Sequence, residues 1–232
     1  YYKLKMELKD PGKNRKINTT PMPYQRSLSQ EQLFPNDTVD HKILLKFYKR
    51  EGKLSKKLYQ ELLKRAKHIF SIPPHAEEEA NVIKIQDPIT IVGDVHGQFY
   101  DFIKFTSLTQ IIDDDTGGPL DSTKYIFLGD YVDRGCFSIE VLGLILAIKI
   151  RFNSTVYMLR GNHECRQLTS FFNFRSECTP QATQASPSTI RIYDTIMELF
   201  DSLPLAAIIN NKFLCIHGGI STDIGSVPTA PL

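Results

Sequence analysis

Gly93-Asp94-Val95-His96-Gly97 places a carboxylate and an imidazole two residues apart, directly after Ile89-Thr90-Ile91-Val92. That apolar, β-branched run has the length and residue types of a buried strand. Asp94 and His96 therefore stand where a strand ends and the chain turns, able to point into one space. An oxygen donor beside an imidazole suits a transition metal better than calcium. A single such pair would pass as a polar surface turn, but the arrangement recurs. Tyr125-Ile126-Phe127-Leu128 runs into Gly129-Asp130-Tyr131-Val132-Asp133-Arg134-Gly135, and Val156-Tyr157-Met158-Leu159 into Arg160-Gly161-Asn162-His163-Glu164. Phe213-Leu214-Cys215-Ile216 runs into His217-Gly218-Gly219. Four strands that each deliver Asp, Asn or His at the same end describe one crevice lined by metal-ligating groups.

The elements that must position these groups follow from the rest of the pattern. From Ile83 onward strands alternate with helices, expected at roughly 99–112, 138–150 and 192–200, which makes an α/β domain with helices covering the sheet. Two packing helices precede it. Ile43, Leu44, Phe47 and Tyr48 form the stripe of the first, which Gly52 ends. Ser55 caps the second, whose buried face is Leu58, Leu62, Leu63, Ala66 and Ile69. Residues 1–37 are polar, basic and proline-punctuated and read as an extended lead-in, so the domain proper is expected over 38–232. The acidic run 113–119 reads as a solvated turn, since its acids and glycines do not follow an EF-hand order. The Ser/Thr/Gln/Ala/Pro-rich run 179–189 reads as a surface loop.

Composition sets the outer limits. The chain has 232 residues, 41% of them hydrophobic, and a net charge of +2. That is enough chain for a substantial core and too little charge to argue for nucleic acid. No apolar run approaches the roughly 20 residues of a membrane span. Cys136, Cys165, Cys178 and Cys215 have no Cys-x-x-Cys spacing and read as free thiols, with a reducing, cytoplasmic setting expected.

The three long motifs, taken in order with His217-Gly218-Gly219, resemble the metal-binding signature of the phosphoprotein-phosphatase family of serine/threonine phosphatases. Within it the calcineurin-type catalytic subunits are most similar, through Phe137-Ser138-Ile139-Glu140, Ala147-Ile148-Lys149-Ile150, Leu203-Pro204-Leu205-Ala206-Ala207, Leu33-Phe34 and Glu51-Gly52-Lys53-Leu54. The resemblance covers roughly residues 20–222 and implies a metallophosphatase-like α/β fold of paired β-sheets flanked by helices. It implies that Asp94, His96 and Asp130 hold a first metal, and that Asp130 bridges to a second held by Asn162 and His217. The metals implied are iron with zinc, or manganese, about 4 Å apart, a spacing that activates water for in-line displacement. His163 becomes the general acid, Asp133 its orienting carboxylate and Arg134 the phosphate grip. The implied partners are phosphoprotein substrates, and a calcium-binding regulatory subunit or calmodulin whose binding segments have no counterpart in these residues. The family's further His ligand and second phosphate-gripping Arg follow the His-Gly-Gly turn and also have no counterpart here. The alternative expectation is therefore a phosphatase-like scaffold of weak activity.

Overall fold

The computed structural model describes residues 27–71, 81–108, 123–178 and 187–220. The acidic run 113–119 lies outside them, as do residues 1–26 and 179–186. The chain enters through α1 (Gln30–Leu33), closed by a capping box in which Ser29 Oγ accepts the Gln32 N–H while Gln32 Oε1 accepts that of Ser29. Leu33 and Phe34 are buried. The extended lead-in expected up to residue 37 is thus already folded onto the core by Gln30, and a 3-10 turn follows at Pro35–Asp37. Asp40 Oδ1 accepts the amides of Lys42 and Ile43 and starts α2 (His41–Lys49). Ser55 Oγ accepts the Leu58 amide at 3.4 Å at the start of α3 (Lys56–Ser71).

Strands β2 (Ile89–Val92), β3 (Lys124–Phe127) and β4 (Val156–Met158) form a parallel sheet in that order. Helix α4 (Phe99–Leu108) follows β2, and α5 (Ser138–Arg151) crosses over from β3 to β4. The second sheet has the order β1-β5-β6, with β1 (Val82–Ile85) parallel to β5 (Ala206–Ile209) and β5 antiparallel to β6 (Phe213–Ile216). Asn210 and Asn211 both take left-handed φ, 53° and 54°, in the turn between β5 and β6. Asparagine tolerates that conformation better than most residues. The paired-sheet expectation holds, and the four site-bearing strands are shared between the two sheets. Strand β2 is less buried than its composition implies, with Ile91 half exposed.

Helix α5 is the centre of the core. It is apolar on nearly every face, and Val141, Leu142 and Leu144 through Ile148 are fully buried, the pattern of a helix surrounded by protein. Helices α2 and α3 pack on it, and α3 also meets α8 (Pro187–Asp201). The last residues of the loop expected at 179–189 are therefore helical, because Pro187 serves well in a first helical turn. Two short helices, α6 (Arg166–Phe171) and α7 (Phe174–Glu177), were not expected. They are too short for a 3.6-residue period to declare itself.

Lys149 is buried near the end of α5 and donates to the carbonyls of Asn153 and Val156 at 2.9 and 2.7 Å. Burial drives its pKa down to about 7 from an ordinary 10.5. Between those values the unfolded chain binds a proton that the folded chain does not, so stability rises with pH. We expect Lys149 to add a slope approaching ~1.4 kcal/mol per pH unit between pH 7 and 8.5. That window lies below the range where the raised Cys178 thiol acts in the opposite sense. Urea melts of Lys149→Met should lack this slope; an identical slope in the variant would place the titration elsewhere.

Candidate metal centre

The site is assembled from the loops after β2, β3, β4 and β6, and the backbone of the first two takes unusual conformations. His96, Asp130, Asp133 and Arg134 have φ of 47°, 55°, 70° and 64°, a left-handed region that non-glycine residues enter at a penalty of about 1–3 kcal/mol where the surroundings enforce it. The enforcement is visible. Val95 and His96 donate their amides to the Asp130 carbonyl at 3.1 and 2.8 Å, and Gly97 donates to Tyr131 O at 2.9 Å. Gly129 and Gly161 approach so closely that a Cβ on Gly129 would strike the Gly161 backbone, and one on Gly161 the Asp130 carboxylate.

A buried carboxylate ties the second loop to the third. Glu164 accepts three backbone amides: Asp130 and Gly161 on Oε2 at 2.7 and 2.9 Å, and Tyr131 on Oε1 at 2.9 Å. Burial pushes its pKa up to about 7 despite those donors. The sequence reading passed over this residue. Its signal was an acidic side chain in a loop between apolar strands, where an unpaired charge is not tolerated.

Asp130 lies at the focus. Its Oδ2 is 3.2 Å from His96 Nε2, its Oδ1 3.3 Å from His217 Nε2, and Oδ1 also accepts the His163 amide at 3.0 Å. Asp94 completes the circle, with Oδ2 3.8 Å from His96 Nε2 and Oδ1 4.0 Å from His217 Nδ1. Asn162 Oδ1 is 2.9 Å from His217 Nε2. All five residues expected to hold metals thus come together. Four of the five, with His163, supply donor atoms that form two overlapping groups, Asp94–Asp130–His217 and His96–Asp130–His163, each within 4.8 Å. The second includes His163, expected as the general acid of the same site.

The donor set fits a cation. His96 Nδ1 lies 2.8 Å from the Val132 carbonyl, so it carries the hydrogen and leaves the Nε2 lone pair facing Asp130. That buried Nε2, like Nδ1 of His217, has no hydrogen-bond partner. Burial opposes charge on His96, yet the Asp130 carboxylate holds its pKa above the ordinary value. Burial likewise opposes charge on Asp130, and the adjoining imidazoles and the His163 amide hold its pKa low. Both shifts report a point where positive charge is favoured.

Beside this focus, Asp133 Oδ2 accepts from His163 Nδ1 at 2.8 Å, and both residues are buried. Asp133 Oδ1 accepts the Phe174 amide at 2.9 Å. The Arg134 guanidinium is 3.4 Å from His163 Nε2, and the Phe172 ring packs 4.8 Å from the imidazole. The three residues expected to act on substrate are therefore adjacent to one another and to Asp130.

Two sheets whose strand ends converge on a shared carboxylate, with an Asp–His pair and an arginine alongside, have the layout of a metallophosphatase. Residues 87–230 match the family model described as calcineurin-like phosphoesterase, and the chain belongs to that family. Serine/threonine-protein phosphatase 2B catalytic subunit A2 of Saccharomyces cerevisiae is 40% identical over 216 residues, covering 92% of this chain and 32% of the relative. Serine/threonine-protein phosphatase PP2A-like PPG1 of the same organism is 39% identical over 158 residues, covering 68% of this chain and 40% of the relative. A solved Saccharomyces cerevisiae protein serine/threonine phosphatase with similarity to human phosphatase PP5 has a TM-score of 0.63 at 30% identity, covering 84% of this chain and 56% of that one. The chain spans about a third of the length of the phosphatase 2B relatives. Among the described residues no helix is long and apolar enough to cross a membrane.

Glu164→Gln should leave at least one of the amides of Asp130, Tyr131 and Gly161 without an acceptor and destabilise the fold by about 1–3 kcal/mol. Urea denaturation measures this. A loss within error of zero would show that Glu164 does not anchor the loops.

Proposed function

We propose that the protein is a metal-dependent serine/threonine protein phosphatase. The observation that carries this is the Asp130 carboxylate, set between the Nε2 atoms of His96 and His217 at 3.2 and 3.3 Å, next to the buried His163–Asp133 pair. Asp94, His96 and Asp130 would hold one metal, and Asp130, Asn162 and His217 the other, with iron and zinc or manganese as the ions. When bound, such ions supply the Lewis acidity that activates water and neutralises phosphoryl oxygens.

The chain's own residues divide the remaining work. Asp133 accepts the Nδ1 hydrogen of His163 and orients the ring with Nε2 outward, so that the imidazolium form, which also carries a hydrogen on Nε2, would donate that proton to the departing serine or threonine oxygen. Arg134 presents a planar fork to the phosphate oxygens. Its guanidinium now faces His163 Nε2 at 3.4 Å, so it must release that nitrogen as it turns to phosphate. The substrates are phosphoproteins, supported by the names of the relatives matched.

The direct test is turnover of a phosphoserine peptide by the full-length protein, with metal stoichiometry measured on the same sample. Bound metals without turnover would favour the scaffold alternative. Asp130→Asn should lose both metals, because a carboxylate shared by two cations screens them from each other, while Asp94→Asn should lose one. Asp130→Asn retaining both metals would refute the bridging assignment. His163→Gln should keep its metals and lose about 10²- to 10⁴-fold in turnover of the peptide. It should lose much less on p-nitrophenyl phosphate, whose leaving group needs little protonation; equal losses on both would remove His163 from the acid role.

A further inference from the structure

Asn173 occupies the N-cap position of α7, where an asparagine ordinarily accepts one of the first helical amides, yet its side chain makes no capping hydrogen bond. It reaches back across 38 and 39 residues of sequence to the turn at 133–135. There Oδ1 accepts the Arg134 amide at 2.7 Å, and Nδ2 donates to the Gly135 carbonyl at 2.6 Å. A backbone amide must donate and a carbonyl must accept, so the orientation of the carboxamide follows from its partners. The next residue adds a third tie, since the Phe174 amide donates to Asp133 Oδ1 at 2.9 Å.

The turn held this way is the most strained part of the site. Asp133 and Arg134 are consecutive left-handed residues, and two such conformations in a row persist only where neighbours enforce them. The Arg134 side chain is exposed, so its backbone, more than side-chain packing, sets where the guanidinium starts.

We propose that Asn173 is a positioning residue for Arg134. Its carboxamide is a two-point clamp that holds the 133–135 turn in its left-handed form, so that the guanidinium stands beside His163 and within reach of a phosphate. This rests on the reading of Arg134 as the phosphate grip. The clamp needs a donor and an acceptor on one short rigid plane. Alanine has neither, serine has one hydroxyl on a shorter arm, and aspartate sets a second acceptor against the Gly135 carbonyl.

The test uses the full-length protein and the variants N173A, N173S and N173D. Its readouts are metal content, hydrogen exchange at the Arg134 amide, inhibition by inorganic phosphate, and phosphopeptide kinetics. N173A should retain its metals, expose the Arg134 amide to faster exchange, and lose on the order of 10-fold in phosphate affinity and in kcat/KM, the scale expected for two lost hydrogen bonds. N173S, a good helix cap, should not restore these properties. N173D should fall below N173A at pH 8 and gain on it as pH falls toward 5, where a proton on the new carboxyl supplies the missing donor. Parent-like phosphate inhibition in N173S, or parent-like exchange of the Arg134 amide in N173A, would overturn the clamp. A parent protein that turns over no phosphoester would overturn the phosphatase reading instead, and the amide-exchange comparison would still decide the clamp.

Discussion

The site depends on one buried carboxylate that never faces it. Glu164 gathers the amides of Asp130, Tyr131 and Gly161, so the loops after β3 and β4 are held as one body. The loop after β2 joins the same body through the amides of Val95 and His96 on the Asp130 carbonyl. Three chain segments far apart in sequence therefore cannot move their ligating groups independently. A metal centre needs that property, because distances between donors must hold to a fraction of an ångström.

The arrangement sets a requirement on the rest of the molecule. Four non-glycine residues in left-handed conformations, a buried Glu164 and a shared Asp130 all oppose folding locally. What offsets them is the block beneath, where α5 is buried along most of its length and is covered by α2 and α3. The strained loops are the short exits of strands that pack against this block. Strain of this kind is stored where the backbone on both sides is rigid, and here β2 and β3 on one side and α4 and α5 on the other supply that rigidity.

What the sequence made legible follows the range of the interactions concerned. Each strand announced itself in about four residues, and each candidate side chain stood shortly after its strand, so Asp94, His96, Asp130, Asn162, His163 and His217 could be picked out as candidates from local order, while their separate roles came from the family resemblance. The division of those strands between two sheets could not, because it depends on β1 and β5 and their pairing register. Nor could the folding of residues 30–37, where a four-residue capped helix and two buried side chains are too little for a periodic signal. Glu164 and Asn173 were invisible in a different way. Apart from Gly161, three residues before Glu164, their partners lie between 33 and 39 residues upstream, a separation that local sequence does not reveal.

Asp133 shows how such distant ties enter the chemistry. Its two oxygens are divided between the imidazole of His163 and the backbone amide of Phe174, so the orientation of one ring is coupled to the segment joining α6 to α7. That segment presents Phe171, 80% exposed, to solvent and lays Phe172 against His163. A displacement of the 171–174 segment would thus act on three groups at once: the carboxylate that orients His163, the turn that carries Arg134, and the ring packed on the imidazole. None of these contacts ligates the proposed metals. The part of the site that would grip phosphate and deliver a proton therefore hangs on α6–α7, while the part that would hold metal hangs on Glu164 and the strand ends. The two halves meet at Asp130, whose Oδ1 accepts the His163 amide and faces His217.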